Sequence, residues 1–204
     1  MTIKERGILF SDPMVHALIY GSKTHTRRVV KRAMNDVTDA YRHPVLCPHG
    51  QPGDRLWVRE NGWERPECTP KMMRDGADTW APYYFDADGI SAEESSEFKA
   101  WGFKRRPSIH MPHWASRITL EITGVRVERL QDISEADAFL EGIPRYANHH
   151  KESFFNQYTN PEKPRSQYLN AKDAFMSFWE SINGPGSWAA NPWVWVITFK
   201  RLKP

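Results

Sequence analysis

The chain has 204 residues, 40% of them hydrophobic, with nine Trp, ten Phe and seven Tyr, which supports one substantial aromatic-rich core and excludes a chain that is disordered throughout. Its 28 basic residues nearly match its 25 acidic ones, for a net charge of +3, so composition alone does not mark a nucleic-acid protein. No apolar run approaches the roughly 18–20 residues that span a bilayer, and Met1 to Arg6 lacks the apolar segment of a signal peptide; no membrane association and a cytoplasmic location are expected.

Asp12-Pro13-Met14-Val15-His16-Ala17-Leu18-Ile19-Tyr20 reads as a short helix. Asp12 can cap the free amides, Pro13 suits the first helical position, and Gly21 can take the left-handed conformation that ends it. Lys23 then falls in a turn. Thr24 to Val30 is rich in β-branched residues and predicts a strand whose period of two puts Thr24, Thr26 and Arg28 on one face. Lys23, Arg27, Arg28, Lys31 and Arg32 form a basic cluster with no acidic residue among them.

Cys47 and Cys68 are too few for a disulfide framework and are read as reduced thiols. Gly53-Asp54 signals a turn into a strand over Arg55 to Glu60. Residues 61–108 show little periodicity and read as an insertion between core strands, with acidic residues concentrated in Asp86–Glu97 and a second basic cluster at Lys104, Arg105 and Arg106. Each basic cluster fits either a phosphate contact or a solvated surface.

The longest strand is expected over Ser116 to Glu128. Ile118, Leu120 and Ile122 share one face, Val125 and Val127 fall on the other, and the phase change at Thr123-Gly124 predicts a β-bulge in a sharply bent strand. Ser134-Glu135-Ala136-Asp137 opens a second helix, closed by Gly142 and Pro144, with Glu141 as its last residue. Residues 144–167 read as a second insertion. Ala171 to Ile182 predicts a helix that packs Phe175, Phe178, Trp179 and Ile182 into the core, and Trp193 to Phe199 reads as a buried strand.

Three segments in this order resemble the ASCH family of the PUA-like superfamily: Gly21-Ser22-Lys23-Thr24-His25-Thr26-Arg27-Arg28, Gly53-Asp54-Arg55-Leu56-Trp57-Val58, and Ile133 to Gly142. Trp195-Val196-Ile197-Thr198-Phe199-Lys200 is similar to the usual last strand. The resemblance implies an α+β fold, a small mixed β-barrel flanked by short helices, as a single domain carrying the two insertions. The whole pattern, with Pro107 to Arg117, resembles long ASCH-like proteins of tailed phages and prophages, which implies a location in the bacterial host cell. Small bacterial members of the family are amidohydrolases that remove the acetyl group of acetylcytidine with a lysine, a threonine and a glutamate; matched to this chain, those roles fall on Lys23, Thr26 and Glu141. Other members are reported as ribonucleases or RNA-binding modules.

The residues suit that chemistry. Amide hydrolysis needs a nucleophile, a group that moves its proton and a donor for the developing oxyanion. A desolvated Lys23 can lose its proton near neutrality and act as base, Thr26 can attack or position water, and Glu141 can orient the lysine or pass a proton to the leaving amine. Arg27 and Arg28 are expected to bind substrate through their fork of donors, and Trp57 and Trp114, with Trp63 and Trp101 as further candidates, to stack on a base. The expected partner is a modified pyrimidine nucleoside or a single-stranded nucleic acid; no cofactor and no metal are expected. Cys47-Pro48-His49 and His110-Met111-Pro112-His113 lack the close paired spacing of zinc sites. Two rival readings stand: a non-catalytic reader of RNA or modified DNA serving phage regulation or counter-defence, and a ribonuclease with His25, His110 and His113 as acid–base groups.

Overall fold

The computed structural model describes residues 2–30, 47–67, 74, 76, 80–148, 151–155 and 167–202. In chain order its elements are β1 (Glu5–Leu9), α1 (Asp12–Ile19), β2 (His25–Val29), β3 (Arg55–Arg59), β4 (Gly62–Glu64), β5 (Tyr83–Phe85), α2 (Ala92–Ala100), β6 (Lys104–Arg106), β7 (Thr119–Arg129), α3 (Glu135–Leu140), β8 (Arg145–Asn148), β9 (Lys151–Phe155), β10 (Gln167–Tyr168), α4 (Ala171–Asn183) and β11 (Trp193–Arg201), with single 3-10 turns between some of them. The α+β class expected from the sequence is what these elements form.

The main sheet has the order β1-β3-β7-β11-β2. β1 runs parallel to β3 and every other pairing is antiparallel. β11 lies between β7 and β2, and Val194, Trp195, Val196, Ile197 and Phe199 are all buried, as expected of a strand covered on both faces. Phe175, Phe178 and Trp179 of α4 and Val15 and Leu18 of α1 join the same core; each such side chain contributes about 1.5–3 kcal/mol when withdrawn from water. The expected bulge is present: Thr198 pairs with Gly124 and Phe199 with Ile122, so Thr123 is the extra residue on β7.

The described strands do not close the expected barrel. β1 and β2 are the two ends of the sheet, and where a closing ladder would run, a side chain crosses instead: Arg28 Nη2 donates to the Leu9 carbonyl at 2.7 Å. The guanidinium also lies 5.3 Å from the centre of the Phe10 ring, directly after β1.

Other differences are local. The N-cap of α1 is Ser11, not Asp12, and the Asp12 carboxylate caps nothing: its Oδ1 is buried without a hydrogen-bond partner. Ile182, expected in the core, is 53% exposed because α4 presents only Ala171, Ala174, Phe175, Phe178 and Trp179 to its neighbours. The parallel strand β1 gives no alternation in Glu5-Arg6-Gly7-Ile8-Leu9 and is not apparent from the sequence.

Both stretches expected as insertions carry strands. Residues 62–106 hold a three-stranded sheet, β5-β4-β6, and α2, which has a complete capping box from Ser91 and Glu94. β8, β9 and β10 form a second three-stranded sheet. Strands of two to five residues are too short to show a clear period, which is why neither sheet is legible in the sequence. At the centre of the first, a Cβ on Gly62 would run into the Tyr84 carbonyl and the Tyr83 ring. Gly62→Ala is therefore expected to cost about 1–3 kcal/mol through overpacking, read as a lower urea midpoint with an unchanged slope.

Candidate active site

Three backbone contacts deliver Lys23 to its partner. Gly21 takes a left-handed φ of 76°, which lets the chain leave α1 sharply, and the amides of Ser22 and Lys23 both donate to the Ala17 carbonyl at 2.9 and 3.1 Å. Lys23 then forms an isolated antiparallel bridge with Glu141, the C-cap of α3. The next residue is stitched on both sides: the Thr24 amide donates to the Leu140 carbonyl at 2.9 Å, and the Phe199 amide donates to the Thr24 carbonyl at 2.9 Å. The Ser134 hydroxyl accepts from the Asp137 amide and fixes the start of α3, so that this one-and-a-half-turn helix ends at the required place.

Lys23 Nζ donates to Glu141 Oε2 and to the Glu141 carbonyl, each at 2.8 Å, with the side chains 0% and 2% exposed. Burial pushes the Lys23 ammonium below its usual range, and the Glu141 carboxylate acts against that push. The other carboxylate oxygen, Glu141 Oε1, accepts from Arg27 Nη1 at 3.0 Å. Nζ also lies 5.6 Å from the centre of the Phe10 ring.

Arg27, expected as a substrate contact, is instead consumed by carboxylates. Besides Glu141 it donates from Nε and Nη2 to Glu128 Oε1 at 3.0 and 2.6 Å and from Nη2 to Asp137 Oδ2 at 2.9 Å, with its side chain 0% exposed. Arg126 completes the network from the solvent side, donating to Glu128 Oε2 at 3.0 Å and to Asp137. Burial alone would lower the Arg27 guanidinium, but Glu141 and Glu128 together raise it, so it stays charged. Glu128, Asp137, Arg126 and Phe10 were not apparent as site residues. Only Asp137 carried any signal, as the residue bonded to the helix cap.

Thr26 is 2% exposed and pairs with Ile197 of β11; by the period of two it shares a face with Arg28, while Arg27 takes the opposite one. Arg28 keeps a buried Nε without a partner, and burial lowers its guanidinium, opposed by Glu141. Lys23, Glu141, Arg27 and Arg28 thus interact electrostatically around one point, with Thr26 in the strand segment that carries two of them.

Trp57 and Trp114 have other surroundings. The Trp57 ring stands edge-on to His113 at 4.9 Å, with the Arg59 guanidinium 4.6 Å from its centre. Trp114 is 57% exposed and meets Tyr83 edge-on. Trp63 is buried and Trp101 packs edge-on to Trp80. The three histidines also have separate neighbours: His25 Nδ1 lies 3.0 Å from Thr24 Oγ1, His113 pairs with Glu5, and His110 is exposed in the 3-10 turn at Ser108–His110.

Of the first basic cluster, Lys23 and Arg27 are interior ion-pair members, and Lys31 and Arg32 lie outside the described residues. In the second, Arg105 pairs with Asp86 and Arg106 with Glu64. Asp88 meanwhile pairs with Arg117, which also grips the fully buried Glu60. Arg105 and Arg106 are thus engaged by carboxylates of the fold, and Arg105–Asp86 joins the second basic cluster to the acidic one. Among the described residues no three His, Cys, Asp or Glu side chains are placed to hold a metal ion. Cys47 is a buried free thiol, raised by burial, and Cys68 lies outside the described residues. No described helix is long and apolar enough to cross a membrane.

No family model, curated protein or solved structure matches this chain. A desolvated amine held by a carboxylate and a nearby guanidinium with an unused donor, with the buried Thr26 in the same strand segment, are groups that can move a proton and stabilise an oxyanion.

Proposed function

We propose that this protein is a hydrolase of the ASCH, PUA-like type that cleaves the acyl amide of a modified pyrimidine, such as an acetylated cytosine in a nucleoside or an exposed nucleic-acid base. The observation that carries the reading is the Lys23–Glu141 pair: Nζ 2.8 Å from Oε2, withdrawn from water, with its proton loosened by burial. In the reaction, neutral Lys23 takes the proton of the Thr26 hydroxyl, or of a water that Thr26 positions, as the oxygen attacks the acyl carbonyl. The unused Arg28 Nε donor faces the charge that forms on the carbonyl oxygen. As the C–N bond breaks, the proton passes from Lys23 to the amine, with Glu141 holding the lysine in place. Where water is the nucleophile, the acyl group leaves at once as a carboxylic acid. Where Thr26 is the nucleophile, the threonyl ester formed is hydrolysed by a water that gives its proton to Lys23, which releases the acid and restores the hydroxyl. Lys23, Thr26 and Glu141 are only 2%, 2% and 1% exposed, so substrate entry requires the residues that enclose them to part.

The test is a panel of acylated and otherwise modified pyrimidine nucleosides and short oligonucleotides, followed by mass spectrometry, with wild type and Lys23→Met compared. Release of an acyl group by the wild type alone supports the reading; no turnover across the panel overturns it. The pH dependence has a definite sign. Below its lowered folded-state pKa, Lys23 is protonated and cannot act as base, so kcat/KM is expected to rise with pH through that pKa and level off below the ordinary lysine value of about 10.4.

A second reading, a non-catalytic binder of single-stranded nucleic acid in a phage setting, is favoured by a different observation: the Trp57–Arg59 stack and the exposed Trp114. Tight oligonucleotide binding that weakens steeply with salt, without turnover, would select it.

A further inference from the structure

We propose that Arg27 is a positioning residue for Glu141: its guanidinium clamps one carboxylate oxygen so that the other is presented to Lys23, and Glu128 and Asp137 hold the clamp. This rests on the reading of Lys23 as the base and adds a residue to it. Arg27 makes four hydrogen bonds to three carboxylates, from β7, from α3 and from the cap that follows α3. It therefore fixes the short helix and its C-cap against the sheet at the point where Glu141 must meet Lys23. Its side chain is 0% exposed and its planar fork suits this role, which a lysine cannot fill.

The charge balance gives the clamp a second effect. The groups facing one another from β2, β7 and α3 with its cap are the cations Lys23, Arg27, Arg28 and Arg126 and the carboxylates Glu128, Asp137 and Glu141; His25, half-buried, has its proton loosened by burial and is counted neutral. The Arg27 guanidinium is a like charge close to the Lys23 ammonium and, with Arg28, favours the neutral amine, whereas Arg126, 44% exposed, lies on the solvent side.

The experiment is NMR titration of the Lys23 side chain in protein carrying 13C- and 15N-labelled lysine, assigned by the signal lost in Lys23→Met. In Arg27→Gln, Lys23 is expected to titrate about one pH unit or more higher than in wild type, because a like charge has been removed. In Arg27→Lys, which keeps the charge and loses the fork, the titration is expected to stay at the wild-type value, while turnover falls about tenfold or more with KM unchanged. An unmoved titration in folded Arg27→Gln overturns the proposal. So does an Arg27→Lys variant with full turnover, which keeps the proposal open to refutation if Arg27→Gln does not fold. A titration that moves as expected in a protein that hydrolyses nothing in the nucleoside panel leaves the clamp standing and removes the catalytic reading.

Discussion

Glu141→Ala is expected to destabilise the protein by about 3–5 kcal/mol, the usual cost of removing one partner from a buried ion pair. Glu141 is the shared anion of two fully enclosed cations, Lys23 at 2.8 Å and Arg27 at 3.0 Å. Arg27 retains Glu128 and Asp137 when Glu141 is lost, whereas Lys23 keeps no other carboxylate. For a chain of this size the loss corresponds to a melting temperature lower by roughly 10 °C, measured by circular dichroism. Glu141→Gln keeps the volume and isolates the charge effect. Without the anion, Lys23 is driven further below its unfolded value near 10.4, so between those two values the unfolded state binds more protons than the folded one. Stability of the variant then rises with pH across that window. Because the wild type gains in the same way above its own lowered Lys23 value, the deficit of Glu141→Gln is expected to shrink with rising pH between the Lys23 value of the variant and that of the wild type. A deficit independent of pH would show that the Lys23–Glu141 pair is not what the substitution disturbs.

Lys23→Met is expected to lower turnover of the acylated substrate by about a hundred- to ten-thousand-fold, the range attributed to a positioned proton-transfer group, with far less change in stability than Glu141→Ala. The asymmetry follows from the partners. Methionine fills most of the space of the lysine stem beside the Phe10 ring, and the Glu141 carboxylate left behind still accepts from Arg27. The large cost of breaking a buried pair comes from the charge left uncompensated, and here the remaining carboxylate keeps its bond from Arg27. Steady-state kinetics and urea unfolding on the same preparation check both halves. Full turnover in a folded Lys23→Met removes the lysine from the mechanism.

Much of the fold was legible. The helices at α1, α3 and α4 were expected within one or two residues of their observed ends because their stops are local: Pro13 and Gly21, Ser134 and Gly142, Asn183 and Gly184. The bulge at Thr123 was legible because a change in the phase of burial along one strand has no other regular explanation. β1 and the small sheets were not, since a glycine-containing parallel edge and strands of two to five residues carry no clear period. Barrel closure was expected from family resemblance, yet the relation of β1 to β2 depends on Arg28 and Phe10, which no local pattern in either strand announces.

The candidate site divides in the same way. The sequence by itself placed Lys23 in a turn after α1, put Thr26 and Arg28 on one strand face and set Glu141 at the end of a capped helix, since these depend on neighbours a few residues away. It also marked the charge clusters, but not their partners. Only the tertiary structure decided that Lys23 is enclosed rather than solvated, that Arg27 serves three carboxylates instead of a ligand, and that Trp57 and Trp114 have other neighbours. The Lys23 and Arg27 outcomes rest on pairings across 101 to 118 residues of chain. Such pairings follow from how the sheet, α3 and α4 pack together, and a charged side chain gives no sign in its own sequence of whether its counter-charge will be water or a carboxylate.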